Sequence, residues 1–168
     1  DDDLKAVVTG TRDKVAEKMA DLRVADSMTE IFNLFRRCNR YIDETMPWVL
    51  AKDEASKDRL ATVLYNLVEG ITIGASLLSP YMPETSEKIF AQLNTSMVEF
   101  DNLATFGNYK SGTKVTEKPQ ILFARLDEKE VMEKAKVLME KQAASVKAAN
   151  AAVEEDTVID IEPKDEIT

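Results

Sequence analysis

Apolar residues recur with a helical period along most of this chain, and the pattern predicts four or five helices. The first covers residues 4–22, with Val8, Val15, Met19 and Leu22 on one side. The second starts at Asp26 or Ser27, with Glu30 three residues after Ser27 completing a capping box. Its apolar positions are Met28, Ile31, Phe32, Phe35, Cys38 and Ile42, and Asn33, Arg36, Arg37, Arg40 and Glu44 lie opposite. The third, over residues 55–78, carries Leu60, Val63, Leu64, Leu67, Ile71, Ala75 and Leu78. Beyond Glu69 it is apolar nearly all round, which predicts burial among neighbours. Ser79-Pro80 stops it, and Pro83 opens a fourth with Ile89, Phe90 and Leu93 inward.

Between residues 95 and 125 the period fails. Gly107, Gly112 and Pro119 interrupt it, and Ile121-Leu122-Phe123 reads as a short extended segment. A last helix is predicted over residues 127–149, with Val131, Ala135, Leu138 and Met139 at helical spacing. Residues 151–168 read as an acidic linker after a domain of residues 1–150. The expected fold is therefore all-α, a helical bundle with an irregular segment near residues 95–125.

Composition narrows the chemistry. The 168 residues include no histidine and one cysteine. That removes an internal disulfide and argues against zinc, and the lone thiol fits a reducing cytoplasm. No signal peptide is apparent, and no apolar run reads as long enough for a bilayer. A net charge of −9 speaks against broad, non-specific grip on nucleic acid, which depends on neutralising phosphates. Local recognition of a few unpaired nucleotides stays open. Glycines are scattered singly, so no phosphate loop forms, and no catalytic constellation emerges. Cys38 lies on an apolar face with no histidine to activate it.

The candidate binding residues cluster in one stretch. Arg36 and Arg40 share a helix face and suit a phosphate or a stacked base, although Arg40 is also placed to pair with Glu44. Asn39 borders the apolar face and can serve as a base contact or a backbone partner. Trp48, the only tryptophan, follows Pro47, where the helix should stop. A ring at a helix end can stack on any base, while pattern alone also allows a core role.

The run Asn39-Arg-Tyr-Ile-Asp-Glu-Thr-Met-Pro-Trp48, followed by Val49-Leu50-Ala51-Lys52, resembles the anticodon-binding domain of class I aminoacyl-tRNA synthetases. Three further runs narrow the likeness: Leu60-Ala-Thr-Val-Leu-Tyr-Asn-Leu67, Leu78-Ser-Pro-Tyr-Met-Pro-Glu-Thr-Ser-Glu-Lys-Ile89 and Pro119-Gln-Ile-Leu-Phe-Ala-Arg-Leu-Asp127. In that order they are similar to the bacterial methionyl-tRNA synthetases, over roughly residues 4–140. Valyl and leucyl synthetases, which share the shorter Trp48 motif, are the alternatives within the class. A helical protein-interaction module without an RNA role is the alternative outside it.

The resemblance implies a parent methionine–tRNA ligase that attaches methionine to its tRNA using ATP, with zinc a further cofactor of the parent. It implies the anticodon loop and the enzyme's own catalytic domain as partners, no membrane, and a cytoplasmic location. Trp48 would stack on an anticodon base. Met46 stands where the family commonly has alanine. The catalytic His-Ile-Gly-His and Lys-Met-Ser-Lys-Ser signatures have no match here. Nor does the family's first bundle helix, whose Asn-x-x-x-Arg pair reads the anticodon, so the bundle is expected to lack that helix. Residues 159–168 resemble the lead-in to a C-terminal tRNA-binding domain through which the parent would form a homodimer.

Overall fold

The computed structural model describes residues 1–156. Its helices are α1 (Asp2–Ala20), α2 (Val24–Thr45), α3 (Pro47–Leu50), α4 (Lys57–Leu78), α5 (Pro83–Leu93) and α6 (Glu128–Asp156). Short 3₁₀ turns stand at Glu54–Ser56 and Phe100–Ala104. No strand forms among the described residues, and Ile121–Phe123, expected to be extended, pass as irregular chain and bend. The all-α expectation holds.

Two compact units divide the chain, Asp1–Leu122 and Phe123–Thr168. The sequence reading placed its domain boundary at 150/151. Residues 157–168, and with them most of the expected acidic linker, lie outside the described residues. Within the second unit, Asp127 caps α6 by accepting the Lys129 backbone N–H at 2.9 Å.

The first unit is built on α1, α2 and α4. Leu4, Val8 and Val15 meet Ile31, Leu34, Cys38 and Tyr41, and both sets pack on Val63, Leu67, Ile73 and Leu77. The buried faces include Val63, Leu67, Ala75 and Leu78 of α4 and Ile31 and Cys38 of α2, as expected, but are wider than the expected stripes. Leu64 is 47% exposed and Phe32 37%, whereas Leu34, Tyr41 and Asn66 are inside. The cause lies in small residues on α4. A Cβ on Gly74 would stand 2.6 Å from Phe35 Cε1, and one on Gly70 would stand 3.0 Å from Cys38 Sγ. These two glycines let α2 approach closely, so the buried face takes in positions 66, 70, 73, 74 and 77 as well as Val63 and Leu67 of the stripe. On α1, Met19 and Leu22 were expected inside but are 41% and 86% exposed. The helix ends at Ala20, and Leu22 turns away with φ 59°.

Ser27 corrects another expectation. It does not cap α2, because the helix starts at Val24. It is fully buried, donates to the Val24 carbonyl and sits 2.7 Å from the Tyr81 hydroxyl. The stretch Glu54–Leu78 is also long and apolar enough to cross a membrane by length and composition, contrary to the expectation. It is the central core helix, with 61% of that apolar window buried inside the fold.

The C-terminal half of α4 fixes the irregular segment. Glu69 is fully buried, and its carboxylate accepts backbone N–H groups from Gly107 at 2.8 Å, Asn108 at 2.7 Å and Tyr109 at 2.6 Å. The Tyr65 hydroxyl donates to the Tyr109 carbonyl, and the Tyr109 hydroxyl donates to that of Leu93. A loop without repetitive structure thus acquires partners for its buried backbone.

Candidate nucleic-acid interface

α2 spends one face on the core, which leaves Arg36, Asn39 and Arg40 exposed on the other. Pro47 cannot donate a helical hydrogen bond, so α2 must end before it. The change of direction falls on Met46, at φ 45° and ψ 61°. Its N–H donates to the Ile42 carbonyl at 2.9 Å, closing α2. Its own carbonyl accepts Val49 N–H at 2.8 Å and opens α3. One residue therefore caps both helices in a left-handed conformation that a side chain adopts at some cost.

This elbow decides the position of Trp48. Leu50 packs toward the core, while Trp48, Val49 and Met46 are 52%, 48% and 46% exposed. Trp48 is not a core tryptophan. Asp53 then secures the exit from the elbow by accepting Ala55 N–H and the Ser56 hydroxyl. These two bonds, the Ser56 one foremost, hold the Asp53 carboxyl below its ordinary range.

Beneath the exposed face lies a polar layer. The Tyr41 hydroxyl donates to Asp1 Oδ1 and accepts Asn66 Nδ2 at 3.2 Å, and Arg59 clamps the same Asp1 with two bonds at 2.6 and 2.9 Å. Arg37 donates to Asp3 at 2.7 Å and to Glu44 at 3.1 Å, and its guanidinium lies 5.9 Å from the Tyr41 ring centre. Burial of Arg37 works against its charge, but Asp3 and Glu44 outweigh that and raise its pKa. Next to it, burial pushes the Cys38 thiol up to about 11, against the pull of Arg37.

The four sequence-derived residues thus fall on one exposed stretch running from the last turns of α2 into α3. Arg36 donates to Asn33, and Arg40 donates through Nε to Glu44 at 3.0 Å, as its spacing suggested. The sequence reading missed the supporting layer of Tyr41, Asn66 and Arg59. Its one available signal was Tyr41, seven residues after the buried Leu34.

No group of three or more His, Cys, Asp or Glu side chains converges among the described residues in a way that suits a metal ion. The zinc expected of the parent therefore has no fitting donor set here. An exposed aromatic ring can stack on a base, and exposed arginines can meet phosphate oxygens.

The family model described as the anticodon binding domain of methionyl tRNA ligase matches residues 1–143. A methionine–tRNA ligase of Clostridium tetani is 48% identical over 127 residues, covering 76% of this chain and 20% of that protein. That of Clostridium perfringens is 40% identical over 168 residues, 100% of this chain and 25% of the relative. The chain thus spans about a quarter or less of the relatives it matches. Among solved structures, Mycobacterium tuberculosis methionyl-tRNA synthetase in complex with methionyl-adenylate aligns with a TM-score of 0.61 at 27% identity, over 73% of this chain and 24% of the other.

Proposed function

The chain belongs to the family of methionyl tRNA ligase anticodon-binding domains, and on that premise we propose that it docks the anticodon loop of a methionine tRNA through Trp48. The supporting observation is the half-exposed Trp48 ring on α3, directly after the Met46 turn whose backbone bonds join α2 and α3. One base–aromatic stack is worth about 1–3 kcal/mol. Arg36 and Arg40 are exposed on the preceding helix and supply positive charge, and Asn39 supplies an amide. With a net charge of −9, recognition rests on stacking and a few contacts rather than on general attraction to RNA.

In the parent enzyme, this binding selects tRNA carrying the CAU anticodon for a separate catalytic domain, the other partner of the bundle. That domain would use ATP to join methionine to the tRNA, and the cytoplasm is where the parent would act. The chain itself carries none of the catalytic signatures, so ATP–pyrophosphate exchange by the pure chain should stay at background. The deciding experiment is a titration with a CAU anticodon stem-loop and with a scrambled loop of the same length. Preference for CAU supports the reading. Equal binding of both loops, or of neither, overturns it and favours an interaction module without an RNA role.

A further inference from the structure

Resting on that reading, we infer that Glu44 is a positioning residue that presents Arg40 to RNA. The two arginines at this end of α2 share one carboxylate: Arg40 Nε donates to Glu44 Oε1 at 3.0 Å, and Arg37 Nη2 donates to Glu44 Oε2 at 3.1 Å. Arg37 is in turn fixed from α1 by Asp3 at 2.7 Å, and its side chain is only 16% exposed. The charges alternate along this chain of contacts, from Asp3 through Arg37 and Glu44 to Arg40. Exposure rises along its last three members, from 16% at Arg37 through 43% at Glu44 to 78% at Arg40.

The consequence is specific to the fork geometry of arginine. Arg40 spends only Nε on Glu44, and both of its terminal amino groups are without a partner among the described residues. Those are the groups that grip a phosphate or lie against a base. An exposed arginine ordinarily samples many rotamers and must be ordered on binding. Here Glu44 holds the stem while the fork faces solvent. Glu44 is itself a poor neighbour for RNA, since it adds a negative charge beside a polyanion. Simple electrostatics therefore predicts that removing it tightens binding, and a positioning role predicts the reverse.

The test is stem-loop titration of the full chain as wild type, Glu44→Gln, Glu44→Ala, Arg40→Ala and the Glu44→Ala/Arg40→Ala double variant. A glutamine keeps one accepting oxygen, so it should hold one arginine and partly rescue. We expect affinity to fall in the order wild type, Gln, Ala, with the alanine loss roughly two- to tenfold, the scale of ordering one long side chain. The double variant should bind no more weakly than Arg40→Ala alone. Should Glu44→Ala lower the denaturation midpoint, the glutamine variant carries the same order. Wild type that prefers CAU, together with Glu44 variants that bind equally or more tightly, overturns this inference alone. Wild type with no CAU preference overturns the reading beneath it as well.

Discussion

Glu69 and Glu44 are both carboxylates that accept hydrogen bonds from several partners at once, yet they do so in opposite settings. Glu69 is fully buried on α4, and its partners are three backbone N–H groups of residues 107–109. Glu44 is 43% exposed at the end of α2, and its partners are two arginine side chains. The first setting is dry and satisfied, so it fixes structure. In the second, water screens the ion pairs and their contribution to stability is small. What they fix instead is the direction of a side chain. On the proposed reading, stability and recognition fall on different residues, and the following substitutions should separate them.

The largest effect belongs to Glu69→Ala. It strands three N–H groups, of which the Tyr109 one is buried, and should cost about 3 kcal/mol or more in denaturant unfolding. Stem-loop affinity, corrected for the folded fraction, should not change. Next is Gly74→Ala. Helix propensity favours alanine by about 0.5–1 kcal/mol. The new methyl would stand 2.6 Å from Phe35 and 3.1 Å from Leu34, so overpacking of about 1–3 kcal/mol should win and the midpoint should fall. A raised midpoint would show that α2 shifts away freely.

Arg36→Ala and Arg40→Ala should leave stability within about 0.5 kcal/mol. Each should flatten the plot of log affinity against log salt by about 0.7 if its arginine meets a phosphate of the unpaired loop. The smallest effect is expected at Cys38. Its thiol pKa is raised from 9.0 to about 11 by burial, so folding favours the protonated form. That contribution is fully present below 9.0 and is lost as pH rises toward about 11. At neutral pH a thiol reagent should modify native protein only at the rate of local opening. Fast labelling of the folded chain would contradict the buried α2–α4 contact.

The helices were legible because their spacing, Pro47, Ser79-Pro80 and Pro83 are local signals. The widening of the buried faces beyond the bulky stripe was not. It depends on Gly70 and Gly74 letting a partner helix approach, and no residue on α2 announces that. Ser27 looked like a cap because its chemistry suits one, yet its hydroxyl is satisfied from inside by Val24 and Tyr81. Glu69 read as one acid on an apolar stretch, because its partners lie some 40 residues downstream. At the candidate interface, the four residues and the Arg40–Glu44 pair came from spacing and motif. The grip of Glu44 on Arg37 spans two turns of α2, beyond the usual i,i+4 pairing, and that of Arg37 on Asp3 is a tertiary fact. For Trp48 pattern alone allowed a core role and the resemblance an exposed one; the ring is half exposed, just after the left-handed Met46.

The most direct test is one pair of numbers on Trp48→Ala: the denaturation midpoint and the affinity for the CAU stem-loop. An exposed stacking ring predicts a midpoint close to that of wild type and binding weaker by about 1–3 kcal/mol. A collapsed midpoint, on the scale of about 3–5 kcal/mol for a truncated core aromatic, would contradict the account, as would an unchanged affinity.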